Sequence, residues 1–366
     1  MRRGKVTVGR PITVGIPRAF GFYLYYPMWK EFFEALGVRV VASSPTTREI
    51  LDNGVRETVS DACVPLKLFH GHVQDLADKD VDYLFIPRLV NMARDAVFCP
   101  KFLGLPDMIR YSLDDLPPII DVRIDLRKGK LEALKICYRV GSLFTKNIFK
   151  IYDAYNKSIS KFGSFKDLVK KGIGLTDAMK ILHGKGSETD FKHNGELTFA
   201  VLGYPYNIYD PYVSADVIGK LHNMGVNVIT TEMIPDEVLN IDSPEFRKEA
   251  FWILSHRALK AAHYLFDTKS VDGIIHLTAF GCGPDFMVNK LIELEAKKRT
   301  HMPFMSLMID EQTGDAGVLT RLQAFVDMVK LRKAGEKEGV AWNESSDLSL
   351  YGDVSHGYKT AARADG

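Results

Sequence analysis

The sequence predicts an α/β protein: two similar parallel-sheet halves with a helical insertion between them and a site in the crevice where the halves meet. Three observations carry this expectation. Over residues 12–120, short β-branched runs alternate with longer helical patterns, the mark of a parallel sheet covered by helices. The same grammar restarts near residue 197, where LTFAVLGYPYNIYDPYVSADVIGKLHNMGVNVITTEMIP parallels ITVGIPRAFGFYLYYPMWKEFFEALGVRVVASSPT. The length, 366 residues, exceeds one ordinary domain of about 150.

In chain order, residues 12–16 read as the first strand. Residues 24–36 carry Tyr25, Met28, Trp29, Phe32, Phe33 and Leu36 at helical spacing, far more a core stripe than a cofactor box, and Gly37 ends the helix. A second strand follows over 38–42, then a short helix capped by Thr46 or Thr47 and running through Leu51. A helix over 64–76 and a strand over 83–86 come next, with a helical region over 101–111. In the second half, strands are expected at 273–277 and 304–309 and helices at 243–266, 286–298 and 315–333. The boundaries are 1–123 for the first half, 124–195 for the connecting segment and 196–340 for the second half. Residues 341–366 lose periodicity and read as a flexible tail.

Composition narrows the function. With 46% hydrophobic and 26% charged residues the chain is neither disordered nor fibrous, and 48 basic against 46 acidic residues argue against a dedicated nucleic-acid binder. No apolar run approaches the roughly 18 needed to span a bilayer, so no membrane association is expected. The start, MRRGKVTVGRPITVGIP, alternates like a strand and is broken by prolines, which disfavours a signal peptide and suggests a cytoplasmic protein. Residues 127–192 look helical, with one candidate strand around Ile136. They hold 15 Lys or Arg against 6 Asp or Glu, a local +9 that leaves −7 for the remainder. A solvated set of helix faces explains this segment. So does a landing surface for a polyanionic ligand tail or an acidic partner, with Lys166, Lys170 and Lys171 as the residues to test.

Four cysteines, at 63, 99, 137 and 282, are too few and too scattered for a disulfide scaffold. Three share a setting. Cys63 precedes Pro65 where a helix should start, Cys99 precedes Pro100 and a helical run, and Cys282 lies between a strand and a helix, flanked by Gly281 and Gly283. Helix amino ends favour the thiolate, the form that binds metal. Strand carboxyl ends collect ligands in open α/β sheets, so these three can converge on the crevice as a cluster site with one open position. Inert buried cysteines are the commoner outcome, and no C-x-x-C pair supports a zinc finger or ferredoxin. Cys137, in LEALKICYRVG, reads as core.

The blocks DACVPLKLFHGHV, DYLFIPRLV, FCPKFLGLPDMIR, TAFGCGPD and PFMSLMIDEQTGDAGVLTRLQAFVD, with the opening IPRAFGFYLYYPMWKEFFEALGVRVVASSPTT, resemble the acyl-CoA dehydratase activase-related proteins. That group is similar to the catalytic component of the 2-hydroxyacyl-CoA dehydratases, such as 2-hydroxyglutaryl-CoA dehydratase, and the resemblance runs through most of residues 12–335. It implies two Rossmann-like (flavodoxin-like) halves and a 4Fe-4S cluster held by Cys63, Cys99 and Cys282, with the fourth iron position open. It also implies an ATP-dependent activase that passes one electron to the cluster, a ferredoxin or flavodoxin upstream of it, and radical removal of a hydroxyl group from an acyl-CoA. A dimer is expected. The chain lacks G-x-x-x-x-G-K-[ST], so ATP hydrolysis would belong to the partner. It departs from the two-subunit dehydratases and looks like their stand-alone or activase-fused relatives, so cluster binding carries over more safely than dehydration. A double-cubane reductase component and a non-catalytic electron carrier stand as alternatives, and so does a metal-free small-molecule binder.

Around the cysteines, Arg18 follows the first strand and can meet an anion there or form a surface ion pair. Lys67 is a second candidate for substrate binding. His70 and His72 lie on the helix after Cys63, where a protonatable ring can relay protons or simply be a satisfied core histidine. Asp310 and Glu311 end the last strand, and Glu311 is the candidate acid or base. Asp285 is read as a helix cap.

Overall fold

The computed structural model describes residues 10–337 apart from 94–95, 128, 192, 240–250 and 300–301. Strand β1 (Thr13–Ile16) is buried along its whole length. It leads into α1 (Phe22–Ala35), which turns Trp29, Phe32 and Phe33 inward, the Trp29 and Phe33 rings lying 4.5 and 5.2 Å from Phe85. The helix stops because Gly37 adopts φ +82°, letting its N–H bond the Glu34 carbonyl (2.9 Å) and the Val38 N–H bond that of Phe33 (3.0 Å). The chain returns as β2 (Arg39–Ala42), parallel to β1 with Thr13 opposite Arg39. Helices α2 (Arg48–Arg56) and α3 (Val64–Ala77) then carry it to β3 (Tyr83–Phe85), on the other side of β1. Of the two threonines considered as cap for α2, Thr47 fills the role, its side chain accepting from the Ile50 N–H (3.3 Å). Strands β4 (Arg88–Ala93) and β5 (Ala96–Val97), helix α4 (Pro100–Ser112), β6 (Ile119–Ile120) and β7 (Arg123–Asp125) complete this part. The main sheet has the order β2-β1-β3-β6, parallel throughout, while β5-β4-β7 form a small second sheet that the sequence did not announce, its two outer strands being too short to show a period.

The second half repeats this plan. Strands β8 (Leu197–Gly203), β9 (Val226–Thr230), β10 (Gly273–Ala279) and β11 (Phe304–Ile309) form a parallel sheet ordered β11-β10-β8-β9. In both sheets the first strand lies between the second and the third, with the fourth beyond the third, so the two α/β halves share one flavodoxin-like order. They differ after their first strand. Where the first half has one long α1, the second has α8 (Pro205–Ile208) and α9 (Val217–Asn223) separated by a turn. Asp210 makes that turn, its Oδ1 accepting from the N–H groups of Tyr212 (3.0 Å) and Val213 (3.3 Å), and Pro211 blocks helix continuation.

Between the halves run α5 (Lys130–Gly141), α6 (Ile148–Lys170) and α7 (Leu175–Leu182). Ile136, a candidate strand residue by sequence, is a buried residue of α5: it and Val140, one helical turn on, are both buried. Helix α6 packs along α1 and also reaches α10 (Asp236–Leu239), where Lys166 Nζ lies 2.5 Å from Asp236. The remaining helices are α11 (Ile253–Thr268), α12 (Gly283–Lys298) and α13 (Asp315–Lys337). The first ten residues of the helix expected at 243–266 fall largely outside the described residues, as does the tail from 341. One apolar core runs through both halves, and a smaller one fills the space between the second sheet and α11 and α12.

Helices α2 and α3 touch backbone to backbone. A Cβ on Gly71 would sit 1.9 Å from the Ile50 carbonyl oxygen, and one on Gly54 1.8 Å from that of Lys67. Gly71→Ala must push the helices apart, and a loss of about 3 kcal/mol in denaturant unfolding is expected. A loss under about 0.5 kcal/mol would show that the contact yields freely.

Candidate functional site

Three of the four cysteines occupy the same structural position. Cys63, Cys99 and Cys282 are the N-cap residues of α3, α4 and α12, and each is followed by a proline in the first helical turn: Pro65, Pro100 and Pro284. Proline fits there because its missing N–H has no intrahelical partner to lose. The loop after β10 docks on the start of α3. The Val64 N–H donates to the Phe280 carbonyl (3.4 Å), and a Cβ on Gly281, which has φ +77°, would lie 3.1 Å from the Cys63 Cα. Helix α4 is fixed by Arg88, which bridges Asp107 and Asp121 (2.8 Å to the latter), with Arg110 also on Asp121 (2.9 Å).

The thiols sense one another. Burial pushes the Cys63 and Cys282 thiols up, and charge on Cys99 raises both further, while Lys101 pulls Cys63 down. The N–H groups of Leu66 and Asp285, in the first turns of their helices, also favour the thiolates, although neither sulfur closes a full cap hydrogen bond. Tyr204 and Tyr206 flank the group. Their phenols are raised by burial and then by the carboxylate and thiol charges around them, so both stay protonated, and the Tyr204 hydroxyl lies 2.6 Å from Ser255 Oγ. Cys137 stands apart on α5, its thiol pushed up to about 12 by burial, in keeping with its core assignment. Among the described residues, no three His, Cys, Asp or Glu side chains are drawn into the single shell of one metal ion.

Lys67, one turn along α3 from Cys63, is buried and reaches Glu311 Oε1 (2.5 Å) and the Ser60 carbonyl (2.8 Å). The ion pair thus joins α3 to the loop after β11, where Arg48 also donates to the Glu311 carbonyl (3.2 Å). Asp310 shapes that loop, accepting from the Gln312 N–H and the Thr313 hydroxyl, both at 2.9 Å. His70 is buried, its Nδ1 2.8 Å from the Leu66 carbonyl oxygen, and burial lowers its pKa and keeps the ring neutral.

Arg18 and His72 belong to a different network. The Arg18 N–H donates to Ser43 Oγ (2.7 Å), which lies 2.9 Å from His72 Nδ1, and His72 Nε2 lies 3.0 Å from Thr46 Oγ1. Thr46 gives its hydroxyl hydrogen to Asp210, so it accepts from Nε2 and fixes the tautomer. Tyr23 also donates to Asp210 (3.1 Å), and burial holds His72 down at about 3. The guanidinium of Arg18 is occupied by the Ser43 carbonyl (3.2 Å) and stacks over Phe22 (5.1 Å). Of the three lysines singled out in the basic segment, Lys166 pairs with Asp236 and Lys171 with Glu188 (2.6 Å).

Sequence reasoning missed Tyr204, Tyr206, Asp210 and a buried pair behind Cys282. Asp285 does not cap α12; Cys282 holds that place and Asp285 turns inward, fully buried, with His276 Nε2 3.5 Å from Oδ1. The signal was a histidine inside the otherwise apolar run GIIHLTA. Burial raises Asp285 to about 7, with Thr278 and Ala279 pulling weakly against it, and lowers His276 to about 4. A carboxyl that keeps its proton longer when folded loses stability as pH rises from its ordinary value near 4 to about 7. Removing this titration with Asp285→Asn should therefore shift the stability difference from the parent by about 3 kcal/mol in favour of the variant between pH 5 and pH 8. A difference that does not change with pH would contradict the buried carboxyl.

The fold and the candidate site together define a class: a protein of two like α/β halves with helix-capping cysteines, two from the first half and one from the second, whose charges act on one another. Residues 13–234 match the family described as CoA enzyme activase uncharacterised domain, and residues 234–329 match 2-hydroxyglutaryl-CoA dehydratase, D-component. The first match spans more than half of the chain, which belongs to that family. Cys63 and Cys99 lie in the first matched stretch and Cys282 in the second. None of the curated proteins compared with the chain matches it.

Proposed function

We propose that this chain is the iron–sulfur component of a dehydratase-type system, holding a 4Fe-4S cluster through Cys63, Cys99 and Cys282 and served by a separate ATP-dependent activase. The observation that carries this is that three cysteines, drawn from both matched stretches, each cap a helix and lie near enough for their charges to act on one another. The donor set fits. It is all sulfur, which suits iron–sulfur chemistry, and three thiolates would leave the fourth iron of a four-iron cluster open. Burial opposes ionisation of the Cys63 and Cys282 thiols, Lys101 pulls only Cys63 the other way, and the positive charge of iron would favour both thiolates. When bound, the cluster supplies a low-potential electron and an open iron position to a carbonyl or hydroxyl group.

The chain's own residues then act as follows. Tyr204 and Tyr206, held protonated, present hydroxyls beside the cysteines and keep bulk water out with their rings. The Lys67–Glu311 pair locks the two halves together one turn away, with Glu311 as the group that can hold a proton there. His70, neutral in its α2–α3 surroundings, is placed to accept one. For the phosphates of a CoA ester, the exposed cations of the connecting segment without an ion-pair partner among the described residues are Arg139, Lys146, Lys150, Lys170 and Lys185, and charge reversal at Lys146 and Lys150 should weaken acyl-CoA binding severalfold. The direct test is anaerobic purification with iron, sulfide and visible spectroscopy. A brown protein with about four irons per chain supports the proposal. A colourless, iron-free protein after reconstitution overturns it.

A further inference from the structure

In an open parallel sheet, ligands bind outside the carboxyl ends of the two strands where the chain order reverses. In the second half those strands are β8 and β10, and their ends carry Tyr204 and the loop to Cys282. The matching strands of the first half are β1 and β3. At their ends, Ile16 and Pro17 on one side and Ile86 and Pro87 on the other line an open-sided pocket of about 50 Å³. The rest of its wall includes Tyr25, Tyr26 and Trp29 of α1, Phe69 of α3, Leu89 of β4 and Phe102 of α4. No charged side chain lines it.

Phe20 lines this pocket and packs against residues of the helices that Cys63 and Cys99 cap. It is buried at φ 49°, a left-handed backbone that a bulky residue rarely adopts unless its surroundings hold it there. Its ring lies 4.7 Å from Phe102, three residues after Cys99, and 5.6 Å from Phe69, six after Cys63. It is also 5.1 Å from Tyr206, which is near enough to Cys282 and Cys63 for their charges to act on its phenol.

We propose that this pocket at the switch point of the first half takes the short, uncharged, apolar side chain of an acyl substrate, with Phe20 as the wall between that chain and the three-cysteine centre. The inference rests on the acyl-CoA reading above and adds the substrate's polarity and length. A cavity of about 150 Å³ lined by Leu, Ile and Phe admits benzene, so this pocket accommodates about two or three carbons. A terminal carboxylate finds no cation in the lining to pair with and is disfavoured there.

Trp29, in the wall, reports occupancy by its fluorescence, and Trp29→Phe identifies its share of the signal. Acetyl-, propionyl-, butyryl- and succinyl-CoA are titrated, with CoA alone as reference. Affinity should rise about fourfold per added methylene up to butyryl, and succinyl-CoA should bind no better than acetyl-CoA. Ala19→Leu, which fills the pocket, should abolish the chain-length gain, and Leu89→Ala, which enlarges it, should extend the gain to hexanoyl-CoA. If Ala19→Leu does not fold, Leu89→Ala still decides. Equal affinities along the series, succinyl-CoA binding as well as butyryl-CoA, or no binding of any ester overturns the proposal. Iron content of the same preparation is read separately: cluster without chain selectivity defeats only this inference, and chain selectivity without cluster defeats only the iron–sulfur reading.

Discussion

Cys63→Ala, Cys99→Ala and Cys282→Ala are each expected to lose most of the iron and sulfide retained after anaerobic reconstitution, down to below roughly half of the parent content. Cys137→Ala should retain all of it and cost only about 1 kcal/mol of stability through lost packing. The contrast follows from position. The first three cap helices whose starts meet between the halves, while Cys137 is enclosed in α5 with its thiol raised by burial alone. Equal iron loss in all four variants would undo the assignment.

Asp210→Ala should lower stability by about 3–5 kcal/mol, because it strands the Thr46 and Tyr23 hydroxyls and two backbone N–H groups in a buried setting. Tyr23→Phe removes a single donor and should cost about 1 kcal/mol. Denaturant unfolding of both variants checks the prediction, and equal losses would mean that Asp210 does not hold the two halves together.

Much of the fold was legible because its two halves obey strong local rules. The stripe Trp29, Phe32, Phe33 and the Gly37 stop specify α1 without help from the rest of the chain, and the apolar runs of β8 and β10 can only be central strands. The small sheet of β4, β5 and β7 was hidden, since β5 and β7, with two and three residues, draw their pairing to β4 from tertiary context. The placement of the cysteines was readable from their Cys-Pro and Cys-x-Pro spacing at helix starts. The partners of Lys67, Arg18 and His72 were not, because each depends on a residue far away in sequence: Glu311 for the first, Ser43 and Thr46 for the others. Two of the chosen basic residues, Lys166 and Lys171, look available in one dimension and are ion-paired in three.

The docking of the Phe280–Cys282 loop against the start of α3 also bears on the order of folding. Contacts so distant in sequence form late, after each half has built its own local structure, since closing a long loop costs entropy before any contact rewards it. On the proposed assignment, the three cysteines would come together only in a chain whose second half has already folded onto the first. A cluster would then be loaded into a finished protein, since a nascent chain that has emitted only Cys63 and Cys99 would offer an incomplete set of ligands.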